Sequence, residues 1–269
     1  MTTDTDQWEI YAVKYADRNA RTRADSFIFD DNHDAPHAMD YFMWLLKNGT
    51  RTILVDTGYD HDEAAKRGRP IRLDPREALA PFDLTPEDIT EVIVTHLHYD
   101  HAGGLALFLN AHIHLQAAEM AFATGPCMCH DTLKAPFTAG HICEAVTRLY
   151  RGKLSFHDGD SQIAEGVTVH CIGGHSRGLQ CVRVRTQSGW MVLASDAAHY
   201  YENFMARKPF PIVVDLQDML DGFDTLLRLA STPELIIPGH DPLVRQIFAE
   251  DRAPHIHRLD IGPIAELPK

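Results

Sequence analysis

Apolar residues recur along this chain mostly in short alternating or continuous runs, with helical periodicity confined to a few stretches. Residues 8–15 and 38–46 read as paired strands of an antiparallel sheet, and 51–56 as a third strand that ends at a glycine turn. Thr85 sits where a helix would be capped, with Pro86 first and Asp88 third inside it. The run 91–95 (EVIVT) has a buried-strand pattern; 104–109 opens a short helix, 111–116 is a strand and 117–124 a helix. The segment 125–151 is rich in Met, Cys, His and Phe and reads as helical at least over 142–150. Strands then alternate with turns across 154–194. In 216–230, Leu216, Met219, Leu220, Phe223, Leu226, Leu227 and Leu229 fall near helical spacing, and 234–237 is a last short strand. Two strand blocks, each with its own helices, are what a four-layer sandwich requires.

Composition narrows the partners more than the fold. At 269 residues with 45% hydrophobic residues, one sizeable domain is plausible, and no repeat or low-complexity block interrupts it. No apolar run approaches the roughly 18 residues of a membrane span, so no membrane partner is expected. The opening MTTDTDQ is polar and acidic, unlike a secretory signal, and the odd count of five cysteines suggests reduced thiols, so a cytoplasmic setting is expected. A net charge of −13 argues against nucleic acid, whose phosphates need a basic face.

The chemistry is concentrated in residues 95–104, THLHYDHAGG, where His96, His98, Asp100 and His101 are all able to bind metal. Residues two apart on a helix point in different directions, so this density suggests a loop leaving the strand 91–95. Imidazole and carboxylate suit zinc, manganese or iron, and four such groups in six residues can serve two ions. Three further groups each follow a short apolar run: His175 in GGHS, Asp196 in SDAA and His240 in PGHD. Each would project from a strand's C-terminal end, where α/β folds place their sites. Cys127, Cys129, His130 and His141 form a second cluster, but C-x-C lacks zinc-site spacing, and they read as packing or loop residues.

VDTG (55–58), HLHYDH (96–101), GGHSRG around His175, SDAAH around Asp196 and PGHD around His240 resemble, in kind and order, the metallo-β-lactamase superfamily. The resemblance runs from about residue 10 to 242. It implies an α/β fold of the αββα sandwich type, one domain over 1–269 with 1–7 flexible and 253–269 a tail. It also implies a dinuclear metal centre at one edge: His96, His98 and His175 would hold one divalent ion, Asp100, His101 and His240 the other, with Asp196 bridging. Zinc is the default for such a set. Asp56 would orient ligand imidazoles from behind. The chemistry implied is attack by a metal-bridging hydroxide on an electrophilic carbon or phosphorus.

Within the superfamily, DAAHYYENF (196–204), HLHYDHAGG and the IIPGHD ending resemble the N-acyl-homoserine lactonases of quorum quenching. A small lactone or ester is therefore the expected substrate, with another ester, a thioester or a phosphotriester as the alternative. Those lactonases carry a tyrosine three residues after the bridging Asp, where this chain has His199, with Tyr200 next. Either side chain would join Asp100 among the catalytic groups, His199 as an acid near neutral pH. Arg177 stands where a proline is commoner and reads as a surface residue. Met43, Trp44, Phe122, Met205, Phe210 and Ile212 are candidates for the substrate pocket, with ordinary core or dimer packing as the competing role. A homodimer is compatible with the resemblance, since related lactonases include dimers. Because all seven ligand positions are filled, a mononuclear-iron oxidoreductase or a non-catalytic binding protein is disfavoured.

Overall fold

The computed structural model describes residues 6–49 and 51–267. The expectation of a flexible 1–7 therefore falls outside the described residues for 1–5. Gln7 is held, its carbonyl accepting a hydrogen bond from Asn48 Nδ2 at 3.1 Å.

Thirteen strands among the described residues build two sheets. In chain order they are β1 (Glu9–Arg18), β2 (Met39–Asn48), β3 (Arg51–Val55), β4 (Glu91–Ile93), β5 (His112–Gln116), β6 (Leu154–His157), β7 (Ser161–Ala164), β8 (Val167–Cys171), β9 (Gln180–Thr186), β10 (Gly189–Ser195), β11 (Ile236–Pro238), β12 (Ala249–Asp251) and β13 (Ala253–Arg258). The first sheet has the order β12-β13-β1-β2-β3-β4-β5-β6 and the second β11-β10-β9-β8-β7. Pairing is antiparallel from β12 to β3 and parallel from β3 to β6; in the second sheet only β10 and β11 run parallel. The helices are α1 (His61–Arg67), α2 (Pro75–Leu79), α3 (Tyr99–Ala102), α4 (Ala117–Ala123), α5 (Asp131–Lys134), α6 (Ala139–Tyr150), α7 (Tyr201–Met205), α8 (Leu216–Leu229) and α9 (Val244–Ile247).

Strand β2 shows why two sheets and two helical layers form. Eight of its ten residues are buried, so both of its faces must be covered. Successive side chains point to opposite faces. Phe42, Trp44 and Leu46 meet Val169, Val182, Val184 and Val192 of the second sheet. Tyr41, Met43 and Leu45 meet the outer core with Leu79, Phe82, Leu105 and Ala145. Each such buried apolar side chain contributes about 1.5–3 kcal/mol. Met43 and Trp44 are thus structural, which corrects their placement in a substrate pocket: a strand buried on both faces is apolar throughout, with or without a ligand nearby. Helix α8 covers the second sheet against β10 with Met219, Phe223, Leu226 and Leu229, and Asp215 caps it by accepting from the Gln217 and Asp218 amides.

Three sequence expectations change. The helix start at Thr85 is a single 3-10 turn, Pro86–Asp88, closed by a reciprocal Thr85–Asp88 capping box. The helix expected at 104–109 is likewise one 3-10 turn, Leu105–Leu107. The tail is partly strand: β13 pairs with β1 through Tyr11–Arg258 and Val13–Ile256 and extends the first sheet. No helix among the described residues is long and apolar enough to cross a membrane.

Candidate metal centre

The ends of β3, β4, β8, β10 and β11 meet at one edge of the sandwich and carry Asp56, the 96–101 cluster, His175, Asp196 and His240. The cluster is not all loop, as its spacing suggested. His96 and His98 precede α3, and Asp100 and His101 lie within that single turn, so one extended stretch and one helical turn aim side chains at the same point. Glycine is required where the turn ends: a Cβ on Gly104 would come 2.2 Å from the Thr57 carbonyl oxygen. On the opposite side, a Cβ on Gly239 would come 2.7 Å from Asp196 Oδ1, so only glycine lets His240 approach.

Asp196 divides the cluster. Its Oδ1 lies 3.1 Å from His240 Nε2 and 3.3 Å from His101 Nε2, with Asp100 carboxylate oxygens 3.9 Å from each of those two imidazoles. Its Oδ2 lies 3.3 Å from His175 Nε2, 3.9 Å from His96 Nε2 and 2.9 Å from His199 Nε2. His98 Nδ1 is 2.9 Å from His175 Nε2. Two compatible ligand groups result, His96–His98–His175 and Asp100–His101–His240, each with donor atoms within 4.8 Å of one another.

The far nitrogens are anchored. His175 Nδ1 donates to the Ile212 carbonyl at 2.7 Å, and His240 Nδ1 to the Asp40 carbonyl at 2.8 Å. His101 Nδ1 meets Asp56 Oδ2 at 2.7 Å. Those bonds fix the tautomers and turn the Nε2 lone pairs inward. Inside, the buried His96 Nε2, His101 Nε2 and Asp196 Oδ1 make no hydrogen bond. Buried polar atoms left without partners cost about 1–3 kcal/mol each, so inward lone pairs of this kind fit cations.

Electrostatics agree. Burial, reinforced by neighbouring histidines, holds His96 and His98 well below the ordinary imidazole value, and burial likewise lowers His175. That direction favours the neutral ring, the form a metal ligand takes. Burial pushes the Asp196 carboxyl up, yet His240, His101 and His199 carry it well below the usual carboxylate range. Burial also pushes His101 down, but Asp196, Asp56 and Asp100 raise it well above its ordinary value. The three carboxylates thus demand positive charge at that point.

Asp56 was expected to orient ligand imidazoles from behind, and it lies beside His101. It adopts φ +60°, accepts from the Thr95 amide and hydroxyl at 2.8 Å each, and orients His101. Of the two candidates three and four residues after Asp196, only His199 reaches the cluster. Tyr200 turns away, its hydroxyl donating to the Ala38 carbonyl at 3.2 Å while its ring packs with Phe27 and His37. His199 is stacked on Phe210 at 3.7 Å, and burial pushes it down to about 3. Burial thus works against a charged imidazole here, where the sequence suggested an acid near neutral pH. Phe122 and Ile212 line a cavity of about 260 Å³ whose floor includes His98 and His175. Met205 is half exposed and lines no part of it, and Arg177 is exposed. Cys127, Cys129 and His130 join no ligand group among the described residues, and His141 instead pairs with Asp60 at 3.2 Å.

Sequence reasoning missed Glu119. This buried carboxylate accepts from the Leu97 amide at 2.9 Å and the Gly178 amide at 3.0 Å, and from the Ser176 hydroxyl at 2.5 Å. It ties the loop of His96 and His98 to the loop of His175. Burial raises it above the usual carboxylate value despite those donors. Its only signal is an acid at a strand-to-helix junction, which is too common to find it by.

Residues 40–240 match the family model of the metallo-β-lactamase superfamily. An N-acyl homoserine lactonase of Bacillus cereus is 31% identical over 162 residues, 59% of this chain and 55% of that protein. The chain thus spans about half the length of that curated relative. A crystal structure of a quorum-quenching N-acyl homoserine lactone lactonase superposes with a TM-score of 0.72 at 23% identity, over 88% of this chain and 93% of that one. AidC, a dizinc quorum-quenching lactonase in complex with a product, superposes at 0.70 and 19% identity over 98% and 97%. These two share the fold.

Proposed function

The chain belongs to the metallo-β-lactamase superfamily, and from that membership we propose that it is a dinuclear-metal hydrolase that opens a small lactone. The observation that carries the reading is the division of ligands about Asp196: His96 and His175 on one carboxylate oxygen and His101 and His240 on the other, with unpartnered ring nitrogens among them. The names of the relatives, N-acyl homoserine lactonases among them, support the choice of a lactone.

Two divalent ions, zinc by default, would be held by His96, His98 and His175 and by Asp100, His101 and His240, and when bound would activate a water and polarise an ester carbonyl. The protein's own contribution is positional. Asp196 offers one oxygen to each group. Ile212, Asp40 and Asp56 lock the imidazoles whose outer nitrogens they hold, so little reorganisation remains at the moment of reaction. His199 grips Asp196 Oδ2 and is a positioning residue in this scheme. Phe122, Pro211 and Ile212 give the cavity over His98 and His175 apolar walls.

One observation favours a different ester over an acyl-homoserine lactone. With Tyr200 turned toward Ala38, no phenol from that segment faces the cluster to meet the ring oxygen. A proton-release assay of the zinc-loaded protein separates the two. The panel spans short and long acyl-homoserine lactones and simple aliphatic and aromatic lactones, with a thioester and a phosphotriester as controls. Lactone opening supports the proposal; turnover of the controls alone moves the chain to another ester chemistry.

A further inference from the structure

The cavity over His98 and His175 has one wall that a neutral lactone does not need. Arg67 and Arg69 both line it, in a chain whose overall charge is −13. Their situations differ. Arg67 is already neutralised: its Nε donates to Glu63 at 2.5 Å and its Nη2 to the Ala135 carbonyl at 3.0 Å, and its guanidinium lies 4.0 Å over the Tyr99 ring. Arg69 donates to the Tyr99 hydroxyl, and among the described residues no carboxylate pairs with it. The acid whose charge it does feel, Asp100, belongs to the ligand cluster. A half-buried guanidinium with donors to spare, inside a largely apolar cavity, is an anion site in waiting, because desolvated charge demands a partner.

Resting on the hydrolase reading above, we propose that Arg69 is a specificity-determining residue and that the substrate is a compact lactone or ester bearing a carboxylate remote from the scissile bond. The planar fork of arginine matches a carboxylate in two-point contact. A single unpaired guanidinium suits a single negative charge. Phe122, Leu133, Pro136, Pro211, Ile212 and Val213 offer the carbon skeleton apolar walls between Arg69 and the two histidines. A volume of about 260 Å³ suits a small ring, since drug-sized ligands occupy roughly 300–1,000 Å³.

The test compares phthalide with carboxyphthalide on the zinc-loaded protein, wild type against Arg69→Gln and Arg69→Lys. The wild type should prefer the carboxylated lactone by about 10- to 100-fold in kcat/KM, the range expected for a charge-assisted contact. Arg69→Gln should bring that preference near parity, chiefly through KM, and Arg69→Lys should keep part of it. A wild type without preference, or an Arg69→Gln protein that keeps it, overturns the proposal. Calorimetric binding of 2-(hydroxymethyl)terephthalate, the ring-opened dicarboxylate, is measured in parallel. If neither lactone is opened, the hydrolase reading fails for this class, and binding decides the anion site alone. Tight binding lost in Arg69→Gln upholds it, and equal or absent binding rejects it. Thermal melting confirms that each variant is folded.

Discussion

His96-Leu-His98 and His112-Ile-His114 have the same spacing, and both lie at or near parallel strands of the first sheet, yet the fold uses them differently. In the first pair the rings join a buried cluster: His96 Nε2 makes no hydrogen bond and lies 3.9 Å from Asp196, and His98 Nδ1 lies 2.9 Å from His175 Nε2. The second pair lies on β5, half-buried, and joins no metal-compatible group among the described residues. His112 Nε2 is 2.7 Å from Ser155 Oγ and His114 Nδ1 is 3.1 Å from His157 Nε2, while the buried His114 Nε2 makes no hydrogen bond and has a single carboxylate, Glu91, at 3.4 Å. Histidine density therefore does not define a metal centre. What defines it is lone pairs aimed inward by bonds made on the outside, around a carboxylate with two free sides.

The largest effects should come from breaking that convergence. Asp196→Ala or His101→Ala should lower hydrolysis by about a thousandfold, corresponding to roughly 4 kcal/mol of lost stabilisation. The same variants should bind fewer than two ions per chain by elemental analysis. Full activity in either would sink the two-ion mechanism. Chelation should abolish wild-type activity and zinc should restore it.

Next in size is the orienting shell, which the outlying pair lacks. Asp56→Ala removes the acceptor for His101 Nδ1 and for both Thr95 donors, and should cost about 10- to 100-fold in metal affinity or activity. A competition titration against a coloured chelator reads this directly. Unchanged affinity would mean that α3 alone fixes the His101 ring.

A finer comparison sets His199 against its neighbour Tyr200. His199→Ala removes the group on Asp196 Oδ2 and should lower kcat about tenfold or more, since misplaced catalytic groups lose rate steeply. Tyr200→Phe removes a hydroxyl that only touches Ala38 and Ser26 and should cost about 1 kcal/mol of stability with kcat nearly unchanged. The reverse ranking would return the catalytic role to Tyr200.

How far this was legible in the sequence follows from what each residue's role depends on. Asp196, His175 and His240 were readable because each follows a short apolar run, and a strand's end projects its next polar residue toward the site. Asp56 was readable through the resemblance that VDTG carries. Glu119 was not, because its importance comes from donors at 97, 176 and 178 that only the fold assembles. Choosing between His199 and Tyr200 was equally out of reach, since adjacent residues in a turn point opposite ways and one residue decides which enters the centre. Strand β13 hid in a largely polar sequence, APHIHR, whose pairing with β1 spans nearly the whole chain.

The smallest expected effect belongs to the outlying histidines. Burial, helped by His114, lowers both His112 and His157 below their ordinary value of 6.5. Below pH 6.5 the unfolded chain binds protons at these positions sooner than the folded one, so stability rises with pH through that window and falls as acid is added. Replacing His157 with Gln should flatten this part of the melting-temperature profile slightly, and His114→Gln should leave ion content and activity within about twofold, as for a partly exposed surface group. A His114→Gln protein that lost an ion would erase the contrast, because it would mean that spacing on a strand suffices without inward lone pairs. If only the acid limb of the melting profile moves, the two His-x-His pairs are separated by function as well as by geometry.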